Sequence, residues 1–189
     1  YGWQDQKDLV QVDWDGNVVW EFSKNQYIED PGYEGQWMAR QHHDYQREGN
    51  PVGYYVPGME CKTDSGNTLI LTHTDVTVPE ISLHGLISDR MIEVDWEGNI
   101  LWDWCVHDHF DELGFDEAAK NTMARNPNIV PNGKGDWMHI NCMSVLGPNK
   151  WYDAGDERFH PDNIIWDGRA TNIIAIIDKK TGKLVWKLG

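Results

Sequence analysis

Three stretches of this chain repeat one pattern: "DLVQVDWDGNVVWEF" from Asp8, "RMIEVDWEGNILWDW" from Arg90 and "NIIAIIDKKTGKLVWKLG" from Asn172. Each is an alternating strand, a turn with a glycine, a second strand, and then a tryptophan. The equivalent tryptophans, Trp20, Trp102 and Trp186, recur at intervals of 82 and 84 residues (20 to 102, 102 to 186). Period-two alternation around Gly16, Gly98 and Gly182 predicts β-hairpins, because a tight reversal needs residues that accept positive φ. A hairpin of this kind cannot bury its apolar face alone, so copies of it must stack on one another.

Further strand candidates lie between the hairpins. "RQHHDYQ" (40–46) and "GNTLILTHT" (66–74) precede the second; "DWMHINCMSV" (136–145) and "DNIIWDG" (162–168) precede the third. Four antiparallel strands per unit make a propeller blade, so the expected fold is all-β: β-propeller blades with a helical insertion. The expected layout is the end of one blade over 1–22, a second blade over about 40–104, a helical insertion over about 108–126, and a third blade over about 136–189. Blades commonly take ~40–45 residues, so units of this length must carry insertions. "DHFDELGFDEAAKNTMARN" (108–126) suits a surface helix with Leu113, Ala118, Ala119 and Met123 on one side, and "EGNPVGYYVPG" (48–58) reads as a loop. Closed propellers need about four blades or more, so further blades from the same parent protein or from other chains are expected to complete the ring. Trp20, Trp102 and Trp186 recur with the hairpins and are assigned to packing.

Charge narrows the partners. Sixteen basic residues against 31 acidic ones leave −15, a field that repels phosphate backbones and argues against nucleic acid. An anionic substrate then needs a local positive pocket. No run approaches the ~18 apolar residues of a membrane span. Cys61, Cys105 and Cys142 are too few and too scattered for a disulfide framework, and no C-x-x-C pair occurs, so the redox compartment stays open. The chain begins at Tyr1 without a signal-like segment, which reads as processed or truncated.

"DWMHINCMSV" is the least ordinary strand candidate. Read as one strand, it puts Trp137, His139 and Asn141 on one side and Met138, Ile140 and Cys142 on the other. An imidazole and an amide on the same side as an indole suggest a surface that meets something polar.

"DWMHIN" followed by "NIIWDGRATNIIAIIDKKTGKLVWKLG" resembles the arylsulfotransferase family, the PAPS-independent aryl-sulfate sulfotransferases. Blades of that family run roughly D-W-x-H-x-N, a strand, an Arg-bearing turn, then I-x-x-I-D-x-x-T-G-K-I-V-W-x-L-G. "QHHDYQ" with "GNTLIL" is similar to the family's histidine-aspartate strand and its G-N-x-L-x-L partner. The likeness runs diffusely over most of the chain and is sharpest over about 136–189. It implies a six-bladed propeller that binds a sulfuryl group in its central channel, with one transiently sulfated histidine, two further histidines and an arginine. By motif, the catalytic positions are His43, His139 and Arg169. His42 is the other register for His43 and a substrate-binding position, along with Trp137, placed near an aryl ring, and Asn141, placed to orient the His139 imidazole. The chain departs from the pattern in reading Asp167-Gly168-Arg169 where the family often reads Ser-Ser-Arg, and in inserting "KWYDAGDERFHP" (150–161). The sulfated histidine is expected on the inner strand after "VWKLG", outside this chain. The resemblance further implies aryl sulfate and phenol as small-molecule partners, no cofactor, and a periplasmic or extracellular location.

These residue types suit the chemistry. Sulfuryl transfer passes through a planar, SO3-like centre with charge on its equatorial oxygens, so catalysis consists mainly of positioning and charge stabilisation. Arginine offers a planar fork that keeps its proton, and histidine can donate to an oxygen or return a proton to a leaving phenol. Two other readings compete: a non-catalytic propeller fragment for binding or assembly, and a quinoprotein-like propeller, which would need calcium ligands the chain does not supply. No metal site is expected. His107, Asp108, His109 and Asp111 crowd a helix start and read as capping, and "DWDGN" lacks the remaining ligands of a calcium loop.

Overall fold

The computed structural model describes residues 6–51, 53–125 and 134–189. All three expected hairpins form: β1 (Leu9–Val12) with β2 (Val18–Phe22), β7 (Gly85–Val94) with β8 (Ile100–Cys105), and β12 (Ile173–Ile177) with β13 (Leu184–Leu188). Between the first two lie a short hairpin, β3 (Gln26–Ile28) with β4 (Gln36–Met38), then β5 (Gln41–Arg47) and β6 (Thr68–Val76). The strands β9 (Lys134–Asp136), β10 (Ile140–Val145) and β11 (Ile164–Gly168) precede the last hairpin. Sheet order is β5-β6-β7-β8 in one blade-like unit and β10-β11-β12-β13 in the other, with β9 added in parallel to the free end of β7. The fold is all-β with propeller-like blades. No cysteine pairs with another. Among the described residues no helix is long and apolar enough to cross a membrane.

Two sequence expectations need correction. The single strand read over 136–145 is two strands on different partners, because His139 takes φ 56°, a left-handed turn that breaks alternation between β9 and β10. The helical insertion, within the described residues, is a 3-10 turn (Val106–His109), α1 (Phe110–Leu113) and α2 (Glu117–Ala124). It is not merely superficial: Phe110, Leu113 and Met123 are buried with Trp104, Trp137 and Met138 in the main core. Asp116 starts α2 by accepting the Ala119 N–H at 2.7 Å. The inserted 150–161 segment forms α3 (Lys150–Asp153) and a short 3-10 turn, capped by Asn149. Residue 126 of the expected insertion, and residues 1–5 of the expected first blade, lie outside the described residues.

The repeat also dictates how the hairpins join. Trp20 Nε1 donates to Trp96 O at 2.9 Å, and Trp102 Nε1 donates to Lys179 O at 3.0 Å. In both cases the indole closing one hairpin reaches the residue after the tip aspartate of the next. Asp13 and Asp95 shape those tips by accepting the backbone N–H and side-chain amide of Asn17 and Asn99; Asp178 accepts from Thr181 in the third. The Arg47 guanidinium lies over both Trp20 and Trp96, 4.4 and 4.8 Å from their centroids, a cation–π clamp across the joint.

The two inner strands meet differently. Side chains of β5 take N–H groups of β10: Asp44 Oδ2 accepts from Met143 at 3.0 Å and Gln46 Oε1 from Val145 at 3.2 Å. That contact brings the polar residues of both units together.

Candidate active site

Two irregularities in otherwise regular strands build the site. The β5–β6 register shifts between Gln41 and Tyr45, and His43 within that bulge has φ 48°. His139, ahead of β10, has φ 56°. A left-handed conformation costs an L-residue roughly 1–2 kcal/mol, so surrounding contacts must hold both. The result is convergence: the two rings meet edge to face with centroids 5.3 Å apart.

Arg169 follows β11 and arrives through the backbone, its N–H donating to His139 O at 3.0 Å. Its Nη1 also stands 3.1 Å from His139 Nε2. A guanidinium can only donate, so Nε2 is the acceptor and the imidazole proton sits on Nδ1. Asp136 holds that Nδ1 proton. His139 is therefore fixed as one neutral tautomer between a carboxylate and an arginine. Arg169 is exposed, and among the described residues no carboxylate pairs with it. His43 is exposed too. Lost hydration, then the neighbouring His139 and His73 and the charge of Arg169, push its pKa below the usual histidine value, with Asp136 opposing.

The structure thus brings together His43, His139 and Arg169. Of the other three expected residues, two turn into the interior and Asn141 lacks the orienting role expected of it. His42 is 2% exposed and faces inward, stacked on His73, because the bulge puts His43 on the open side. Trp137 is a core residue rather than a ring beside a substrate: it is fully buried, donates from Nε1 to Ser88 Oγ at 3.2 Å and packs edge-on to Phe110. Asn141 does not orient His139, since Asp136 and Arg169 occupy both ring nitrogens; its Oδ1 is buried without a hydrogen-bond partner among the described residues. Asp136, His73 and Asp89 were missed. Asp136 could have been found as the acid three residues before a histidine in a turn, and Asp89 as a charge inside the apolar strand "GLISDRMIEV".

The departure at 167–169 has a local reason. A Cβ on Gly168 would lie 2.5 Å from Met138 Sδ and 2.6 Å from Thr171 Oγ1, so a larger residue in the turn that delivers Arg169 must displace one of those side chains.

A fixed guanidinium, two imidazoles and a supporting carboxylate can hold a small oxyanion and pass a proton. A family model described as arylsulfotransferase (ASST) matches residues 1–189. No curated protein and no solved structure matches the chain.

Proposed function

Because the chain belongs to the arylsulfotransferase family over its whole length, and its chemistry is in general that of an aryl-sulfate sulfotransferase, we propose that His43, His139 and Arg169 grip the sulfuryl group as it leaves an aryl sulfate for a phenol. The observation that carries this reading is the contact of Arg169 and His43 with one tautomerically fixed His139.

A sulfate ester is an anion that can meet the guanidinium fork with two oxygens, as a neutral imidazole cannot, so a bound substrate draws the Arg169 fork away from His139 Nε2. The freed nitrogen then takes a proton from solvent in the first turnover, and from the acceptor phenol thereafter, with the Asp136 carboxylate stabilising the resulting imidazolium. In the transfer, the donor's S–O(aryl) bond breaks as sulfur bonds to the attacking histidine, which the resemblance assigns to a neighbouring blade. The bonding pair leaves on the aryl oxygen, and a proton from His139 neutralises it. In the second half the phenol oxygen attacks sulfur, the S–N bond breaks, and the phenol proton returns to the imidazole. Within an acidic molecule, this cluster supplies the local positive pocket an anionic substrate needs.

The test is turnover of the parent protein with a chromogenic aryl sulfate and a phenol acceptor. Arg169→Ala is expected to lower kcat/KM about 100- to 1,000-fold, the range for one preorganised donor, with no change in melting temperature. Undiminished turnover in that variant would remove the arginine from the mechanism.

A further inference from the structure

Behind the open cluster lies a second, sealed one. His42 on β5, His73 on β6 and Asp89 on β7 are 2%, 5% and 0% exposed, and His73 faces Asp89 directly across the ladder. The two imidazoles stack with centroids 3.7 Å apart and planes 11° from parallel. Their Nε2 atoms stand 3.3 and 3.9 Å from the same Asp89 oxygen, Oδ1. That oxygen also accepts the Ile140 N–H at 3.1 Å, and Ile140 is the residue that follows left-handed His139. His42, in turn, is the residue before left-handed His43. Both site histidines therefore spring from backbone tied to this buried unit.

Two histidines and a carboxylate are also a familiar metal donor set, and their ligand atoms lie within 4.8 Å of one another. The rings do not fit that role as they stand. An imidazole lone pair lies in the ring plane, and an ion in the plane of one ring would stand nearly the whole 3.7 Å stacking distance off the plane of the other. A bare carboxylate sealed from water is costly, whereas one sharing a proton with an adjacent imidazole is not. Burial, with the charge of Asp136, raises the Asp89 pKa well above the usual range, which favours a shared proton.

We propose that His42, His73 and Asp89 form a net-neutral, proton-sharing unit in which Asp89 is a positioning residue, clamping the Ile140 N–H so that His139 stays turned toward His43 and Arg169. The unit touches no substrate. The proposal rests on the anion-site reading for its functional consequence, but not for its structure.

The experiment compares the protein with Asp89→Asn, which keeps an oxygen acceptor and loses the charge, and Asp89→Leu, which loses both. Long-range 1H–15N spectra are expected to show one proton shared between Asp89 and a ring Nε2 of the His42–His73 pair, persisting from pH 5 to 9 only in the unsubstituted protein. The Ile140 amide is expected to remain slow to exchange in Asp89→Asn and to become fast in Asp89→Leu. Inorganic sulfate, titrated calorimetrically, is expected to bind Asp89→Asn within about threefold of the original and Asp89→Leu at least tenfold more weakly. Ring spectra that Asp89→Asn leaves unchanged would overturn the shared proton, as would zinc taken up at one equivalent by the original protein and lost in Asp89→Asn. An Ile140 amide or sulfate affinity indifferent to Asp89→Leu would overturn the clamp. If Asp89→Leu does not fold, Asp89→Ala, which also lacks an acceptor, takes its place in the exchange and sulfate measurements, and the Asp89→Asn spectra still decide the shared proton. Failure of the original protein to bind sulfate would sink the anion site alone, leaving the ring spectra to judge the buried unit.

Discussion

Substituting Gly168 by serine, the residue in the family pattern this chain resembles, should damage this chain. The added Cβ would sit 2.5 Å from Met138 Sδ and 2.6 Å from Thr171 Oγ1, against ordinary carbon contacts of about 3.5–4.0 Å. Something must move by about 1 Å. Met138 cannot yield easily, because it is fully buried in the main core and its carbonyl already accepts from Ala170 at 3.0 Å. Overpacking of this size costs about 1–3 kcal/mol, or a fall in melting temperature of roughly 2–12 °C for a chain of this length. If the turn moves instead, the 3.1 Å contact between Arg169 and His139 opens, and sulfate affinity falls as well. Differential scanning calorimetry and sulfate titration of Gly168→Ser, Met138→Ala and the double variant provide the check. The double variant is expected to lose about 1 kcal/mol less than the two single losses added together, because each relieves the other. Strict additivity, or an unchanged melting temperature in Gly168→Ser, would refute the steric account of this turn.

Two further outcomes follow from the same contacts. Trp102→Phe removes the indole N–H that reaches Lys179 O and should cost about 1 kcal/mol, a drop of roughly 2–4 °C in a thermal melt; Trp14→Phe should do nothing, because Trp14 is fully exposed. The His43 pKa is depressed, so the ring is neutral at pH 7. Sulfate affinity should rise, by about tenfold, as pH falls through that lowered value, whereas the folded state without sulfate loses stability as pH drops below the unfolded histidine value, about 6.5. Titration calorimetry and urea melts at pH 7.5 and 5.0 test both signs, with His43→Gln expected to show the smaller change in each.

The hairpins were legible because period-two alternation around a glycine leaves little choice of structure, and the residues that join one hairpin to the next sit inside the repeated pattern itself. The family pattern pointed to His43, His139 and Arg169, and the structure brings their side chains together. Their surroundings were not legible. Alternation assumes an unbroken strand, and His43 and His139 are the points where the backbone leaves that geometry. The break at His139 separated Trp137 from the side its register predicted and gave Asp136 the role expected of Asn141. His73 and Asp89 lie inside runs of apolar residues, so sequence periodicity reads them as core and cannot show that they face each other. The β3–β4 hairpin was also missed, since its three-residue strands are too short to show a period.

The strand breaks also bear on how so acidic a chain could accept the anion proposed for it. Once β9 and β10 part company, the N–H groups at the start and along the free side of β10 need acceptors other than a strand. Ile140 donates to Asp89, Cys142 to Asp167 at 2.7 Å, Met143 to Asp44, and Val145 to Gln46. Three of the four acceptors are aspartates drawn from three different strands. An exposed row of donors would otherwise invite pairing with another chain, and an unmet buried donor would cost about 1–3 kcal/mol. These carboxylates therefore do structural work, their lone pairs directed at backbone N–H groups, and Asp136 is directed at His139. Arg169 is left without an acidic partner among the described residues. Near the site, then, the negative charge of the sequence is turned toward the backbone and the imidazole, while the guanidinium faces outward. Replacing Asp44 by asparagine preserves an acceptor and should leave the site intact; replacing it by alanine should loosen β10, and with it the histidine and arginine that an oxyanion must meet.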